Sequence, residues 1–186
     1  SAHDWVMPAL CSTPVHAIAL GDLDGDGRAD LVVGHQGTDD CIFLTGGASV
    51  GELFGSSMIL SGKLGTTTDL AIVDFDLDGD LDLLRLIKSS RLQLFFNPDG
   101  IAVMPNEADF ETMPIQSAEA FDIGDLDGDG DVDVVIATSN GQEDRIYLNN
   151  QTGGLHNLTL EWTSMEVSDS YRVRIGDVDW DGDLDF

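Results

Sequence analysis

The chain has 186 residues, 42% of them hydrophobic, which is enough apolar material for a core and too much for a chain disordered by polarity. It carries 35 acidic against 8 basic residues, a net charge of −27, which sets it against nucleic acid and anionic membrane surfaces. No apolar run approaches the roughly 18 residues of a helical membrane span, so none is expected.

The elements follow in chain order. Ser1-Ala2-His3 opens the chain as a trimmed protein would. Asp4-Trp5-Val6-Met7-Pro8 resembles Phe110-Glu111-Thr112-Met113-Pro114 further on, and both read as an outer strand. Ile18 and Leu20 flank Ala19 in the alternation of a strand with one buried face. The loop Asp22-Leu23-Asp24-Gly25-Asp26-Gly27-Arg28-Ala29-Asp30 comes next. Leu31-Val32-Val33 is a continuous apolar run, which predicts a strand covered on both faces. Phe43-Leu44-Thr45 is a third segment, and a looser fourth contains Met58. Gly, Asn and Asp clusters separate the segments, as turns require.

The series then repeats. Leu70 and Ile72 lead into Asp74 to Asp82, followed by Leu83-Leu84, Phe95-Phe96-Asn97 and Met113. Phe121 and Ile123 lead into Asp125 to Asp133, followed by Val134-Val135-Ile136, Tyr147-Leu148-Asn149 and Met165. Val173 and Ile175 lead into Asp177 to Asp185. The first aspartates of the four loops are 52, 51 and 52 residues apart. The approximate units are 1–52, 53–104, 105–157 and 158–186, the last incomplete. Four short strands per unit, with no helical periodicity, predict an all-β fold of tandem antiparallel β-propeller blades. The loop joins the first and second strand of each blade. The array reads as about 3.5 blades, beginning and ending mid-blade.

Sixteen aspartates fill the first, third, fifth and ninth places of the four loops. On a tight turn these carboxylates converge, and glycine at the sixth place permits the left-handed backbone the turn needs. The carbonyl at the seventh place adds a ligand. The expected metal positions are therefore Asp22, Asp24, Asp26, Arg28 and Asp30; Asp74, Asp76, Asp78, Asp80 and Asp82; Asp125, Asp127, Asp129, Asp131 and Asp133; and Asp177, Asp179, Asp181, Asp183 and Asp185. Six or seven hard oxygens suit Ca²⁺ better than the stricter octahedron of Mg²⁺. About four Ca²⁺ ions are expected, one per loop. No His/Cys cluster for zinc is evident from spacing. An EF-hand is excluded, because the twelfth place holds Val33, Arg85 and Ile136 inside apparent strands.

These strand–DxDxDGxxD–strand units, Ile18 to Val33 and Ile123 to Ile136 among them, resemble the FG-GAP/VCBS repeats of integrin-α-like β-propellers. The resemblance implies a calcium-stabilised blade array of the cell surface or secreted space, in adhesive or polysaccharide-linked proteins. It places the calcium ligands on the aspartates already named.

Cys11 and Cys41 fit either one disulfide or two buried thiols. Asn150 and Asn157 begin N-glycosylation triplets. The four histidines, His3, His16, His35 and His156, have no catalytic partner at a recognisable spacing, so surface or turn roles are expected. Trp180 lies inside the fourth loop and reads as exposed, whereas Trp5 and Trp162 read as packing residues. No nucleophile elbow or phosphate-cradling loop is present, so no enzymatic activity is expected. The expected partners are other protein chains, a second copy included, with glycans as the alternative class.

Overall fold

The computed structural model describes residue 11 and residues 13–46, 54–60, 65–98, 107–150 and 158–186. Among the described residues, twelve strands form three four-stranded antiparallel sheets and no α-helix occurs. The first sheet is β1 (Val15–Gly21), β2 (Asp30–His35), β3 (Asp40–Thr45) and β4 (Phe54–Leu60). The second is β5 (Thr67–Val73), β6 (Asp82–Ile87), β7 (Leu92–Phe95) and β8 (Phe110–Glu111). The third is β9 (Ala118–Gly124), β10 (Asp133–Thr138), β11 (Arg145–Asn149) and β12 (Leu158–Thr163). Within each sheet the strands lie in chain order, so each sheet is an up-and-down blade of a β-propeller. The first three acidic loops each turn the chain from the first strand of a blade into the second, as expected.

The first strands lie side by side, β1 beside β5 and β5 beside β9. Two apolar clusters fill the gaps between blades. Leu23, Val32 and Ile42 meet Leu70, Leu83 and Phe95 between the first two. Phe75, Leu84, Leu86 and Leu94 meet Phe121, Val134, Ile136 and Tyr147 between the second and third. A blade in the stack is covered on both faces. Every residue of β6 and β10 is accordingly buried, which is why their sequences are mostly apolar after the opening aspartate.

The first strands correct the expectation of one buried face. In β5 and β9 both faces meet neighbouring residues, and side-chain size differs between them, whereas in β1 only the Ala17 and Ala19 side is covered. The bulky side, Leu70 with Ile72 and Phe121 with Ile123, packs into the clusters between blades. The small side admits the bulky residues of the next blade. A Cβ on Gly21 would lie 2.5 Å from Ile72 Cγ2, and one on Gly124 would lie 3.0 Å from Leu184 Cδ1. In β1 the bulky side has no blade against it among the described residues. Ile18 and Leu20 are therefore 62% and 65% exposed, although their counterparts are covered.

One polar contact ties the first two blades together. Arg85 Nε lies 2.8 Å from Asp40 Oδ2, with both side chains buried. Thr67 Oγ1 donates to the same oxygen at 2.7 Å, and the His35 N–H donates to Asp40 Oδ1 at 2.8 Å. Burial raises the Asp40 pKa and lowers that of Arg85, and each partner's charge offsets part of the other's shift. This pairing explains an arginine inside an otherwise apolar strand.

Other expectations resolve as follows. Cys11 and Cys41 form a disulfide, which joins residue 11 to β3. Met58 lies in β4, but Met113 and Met165 follow β8 and β12 and are exposed, so the recurring methionine is not a packing mark. Val173 and Ile175 form no strand, and Gly176 and Asp185 make an isolated bridge. Trp162 is 40% exposed and meets Phe186 edge-on at 5.8 Å, so it is not a core residue. Asn150 is exposed. Residues 4–8, with Trp5 and Met7, and also His3, His156 and Asn157, lie outside the described residues.

The blade contact makes a direct prediction. A Cβ on Gly34 would lie 2.6 Å from Thr67 Cγ2 and 2.9 Å from Thr67 Cβ, whereas one on Gly176 meets nothing within 4 Å. Gly34→Ala is expected to lower stability by about 1–3 kcal/mol. Gly176→Ala should leave it unchanged in the same denaturant titration.

Candidate metal centres

The four loops share one hydrogen-bond pattern. The sixth-place glycine N–H donates to the first aspartate, from Gly27, Gly79, Gly130 and Gly182 at 2.8, 3.1, 3.0 and 3.2 Å. The fifth-place N–H donates to the third aspartate, at 3.2 Å in the first loop and 3.1 Å in the second. The seventh-place N–H donates to the fifth-place aspartate, at 2.9 Å from Arg28 to Asp26 and from Asp80 to Asp78. These Asx turns wind the backbone around a cluster of carboxylates. The sixth-place glycines have φ between 87° and 101°, as the sequence predicts.

The fourth place is also left-handed, which the sequence reading missed. Gly25 and Gly128 supply it in two loops, and Leu77 (φ 58°) and Trp180 (φ 66°) in the others. The two glycines were the available signal, but the bulky residues between them hid it. Trp180 is 89% exposed, as expected.

Each loop brings three carboxylates together, with one oxygen of each within 4.8 Å of the others. The sets are Asp22, Asp24 and Asp30; Asp74, Asp76 and Asp78; Asp125, Asp127 and Asp133; and Asp177, Asp179 and Asp185. The fifth-place Asp26, Asp129 and Asp181 stand outside these sets, as does the ninth-place Asp82. The side chains of Asp80, Asp131 and Asp183 stand outside as well. For those three and Arg28 the expected ligand is the carbonyl, and what the structure shows is the N–H donating to the fifth-place carboxylate.

The ninth aspartate has a second role. Asp30, Asp82 and Asp133 are buried, and each accepts two backbone N–H groups. One oxygen takes the second-place N–H of the loop, from Leu23, Phe75 and Leu126 at 2.8, 2.9 and 2.7 Å. The other takes the N–H at the end of the third strand, from Thr45, Asn97 and Asn149 at 2.7, 2.9 and 2.8 Å. The two asparagines also reach the preceding blade. Asn97 Nδ2 donates to the Leu23 carbonyl at 2.8 Å, and Asn149 Nδ2 to the Phe75 carbonyl at 3.5 Å. The step of 52 marked these positions, but their roles could not be read from it.

The electrostatics follow from burial. Burial raises the pKa of Asp82 to about 6, because its two N–H donors offset only part of the lost hydration. Asp133 is raised for the same reason, with Asp127 and Asp129 adding to the effect. Asp24 is raised by burial, and then by Asp30, Asp26 and Asp22.

Family models place these loops. The FG-GAP-like repeat model matches residues 22–85 and again 125–186, each match opening on the first aspartate of a loop and taking in two loops. The chain belongs to the FG-GAP-like repeat family. Comparison with curated protein sequences found no match. The FG-GAP-like assignment agrees with the three antiparallel blades, and the four acidic clusters of these repeats could hold metal ions.

One further cluster corrects the sequence reading. A ring nitrogen of His35 and the sulfurs of Cys11 and Cys41 lie within 4.8 Å of one another, all three residues buried. His35 is thus neither a surface nor a turn residue. Residues 24 and 30 positions apart in sequence cannot be grouped by spacing; the β2–β3 pairing and the Cys11–Cys41 disulfide bring them together.

The raised carboxylates fix a pH dependence. A folded-state pKa above the unfolded value gives stability that is complete below about pH 4 and is lost as pH rises through about 6, the value for Asp82. Chelator-treated protein should therefore melt at progressively lower temperature from about pH 4 to about pH 7. A divalent cation that binds these carboxylates would flatten or reverse that slope, because it favours their ionised form. Circular-dichroism melts across the window check both arms.

Proposed function

We propose that the chain is a calcium-stabilised, extracellular structural or adhesive propeller module, which works by assembling with other protein chains and not by catalysis. The observation that carries the calcium reading is Asp74 Oδ1. It is buried and has no hydrogen-bond partner among the described residues. Two further carboxylates, Asp76 and Asp78, supply oxygens within 4.8 Å of the Asp74 ligand atom. A buried anionic oxygen without a donor is costly, and a hard cation supplies what it lacks. The three carboxylates gathered in each loop would hold the ion, with the remaining aspartate (fifth-place in three loops, ninth-place Asp82 in the second), the seventh-place carbonyl and water completing seven oxygens or fewer. Bound there, Ca²⁺ supplies positive charge that lets the loop close; the chain's own residues do the rest by hydrogen bonding. One ion per loop makes four.

The assembly reading rests on Ile18 and Leu20, exposed where the other blades carry packed counterparts. A further blade, from a second copy or a flanking repeat, would cover them. The disulfide and the family support an oxidising, extracellular setting. The competing reading, calcium-dependent glycan binding, is favoured by Trp180 alone, an exposed ring inside an acidic loop.

Calcium at a hundredfold excess over its Kd stabilises by about 2.7 kcal/mol per site, so chelation should lower the melting temperature sharply. Asp74→Asn should remove one site's share, and exposed Glu143→Gln should remove none. Terbium titration adds a direct signal, since Trp180 should sensitise emission from the fourth loop. A melting curve unmoved by chelator, with no terbium emission, contradicts the reading. A glycan array run with and without calcium, repeated with Trp180→Ala, tests the alternative.

A further inference from the structure

We propose that Cys11, His35 and Cys41 form a redox-gated site for a soft divalent metal such as zinc, masked by the disulfide and opened when a dithiol reduces it. The three residues come from separate places: ahead of β1, the end of β2 and the start of β3. Their ligand atoms lie within 4.8 Å of one another and all three are buried. Two sulfurs and an imidazole are a zinc-type donor set, distinct from the hard oxygens of the loops.

The independent observation is His35. Its Nδ1 lies 3.2 Å from the Thr13 carbonyl oxygen, which can only accept, so Nδ1 carries the proton. In the neutral ring, the form that ligates a metal, Nε2 is then the lone-pair nitrogen. Nε2 is buried and has no hydrogen-bond partner among the described residues. Burying such an acceptor without a donor is costly, which points to a ligand. A backbone carbonyl on the other ring nitrogen is the arrangement that orients metal-ligating histidines. The His35 N–H is itself fixed on Asp40 Oδ1 at 2.8 Å, so the ring sits on a pinned strand end.

The chemistry balances. The dithiol gives two electrons and two protons to the Cys11–Cys41 bond and closes to a cyclic disulfide. Metal binding then releases both thiol protons to solvent. Two sulfur–metal bonds and one nitrogen–metal bond form, leaving one tetrahedral position for water.

The test uses the full, calcium-saturated chain reduced by a phosphine, which leaves no competing thiol, with Co²⁺ as probe. One equivalent should produce thiolate-to-cobalt charge-transfer absorption that zinc abolishes, and the oxidised chain should show none. His35→Gln, with both thiols still titratable, should weaken cobalt binding about tenfold or more. Cobalt held by the loop carboxylates alone gives no such absorption and would count against the site. A folded, reduced chain without the band, or an unchanged affinity in His35→Gln, overturns the proposal. Loss of the β-sheet circular-dichroism signal on reduction overturns it as well, because the site requires β2 and β3 in place.

Discussion

A buried carboxylate at the ninth place of the loop is the contact through which each described blade is joined. One of its oxygens holds the loop backbone and the other holds the end of the third strand. Loop closure, the first hairpin and the third strand are thereby tied to one side chain. In the second and third blades the residue it holds also donates to the preceding loop, so the tie passes from blade to blade. The arrangement is costly on its own, because a carboxylate with so little water is pushed toward protonation, to about 6 for Asp82. A cation held by the neighbouring carboxylates would offset that cost, and under the proposed function this links the exposed loop to the buried strand.

Stacking imposes a second constraint. Each first strand presents bulky residues to one neighbour and small ones to the other, so blades add in one direction. Gly21 and Gly34 sit where no side chain fits, and the buried Asp40–Arg85 pair fixes the first blade on the second. The same asymmetry puts Ile18 and Leu20 on the bulky side of β1, where they are exposed.

The period and the loops were legible because both are local. DxDxDGxxD names its turn through aspartate and glycine chemistry, and the spacing of 52 residues names the blade. Strand positions followed from the same alignment. What stayed hidden depends on neighbours. Alternation at Ile18 and Leu20 reads alike whether one face or two is covered. Leu77 and Trp180 occupy left-handed backbone that sequence assigns to glycine, because the Asx turns around them dictate the conformation. His35 resembled any surface histidine until strand pairing set it beside two sulfurs. Arg85 resembled a misplaced charge until the adjoining blade supplied Asp40.

If the ninth aspartate is the joint, removing it should loosen two distant amides together and spare the next blade. Amide hydrogen exchange in calcium-saturated protein, comparing the native sequence with Asp82→Ala, measures this directly. The account predicts that Phe75 and Asn97 lose protection in concert, while Leu126 and Asn149, held by Asp133, keep theirs. Unchanged protection at Phe75 and Asn97 would contradict it.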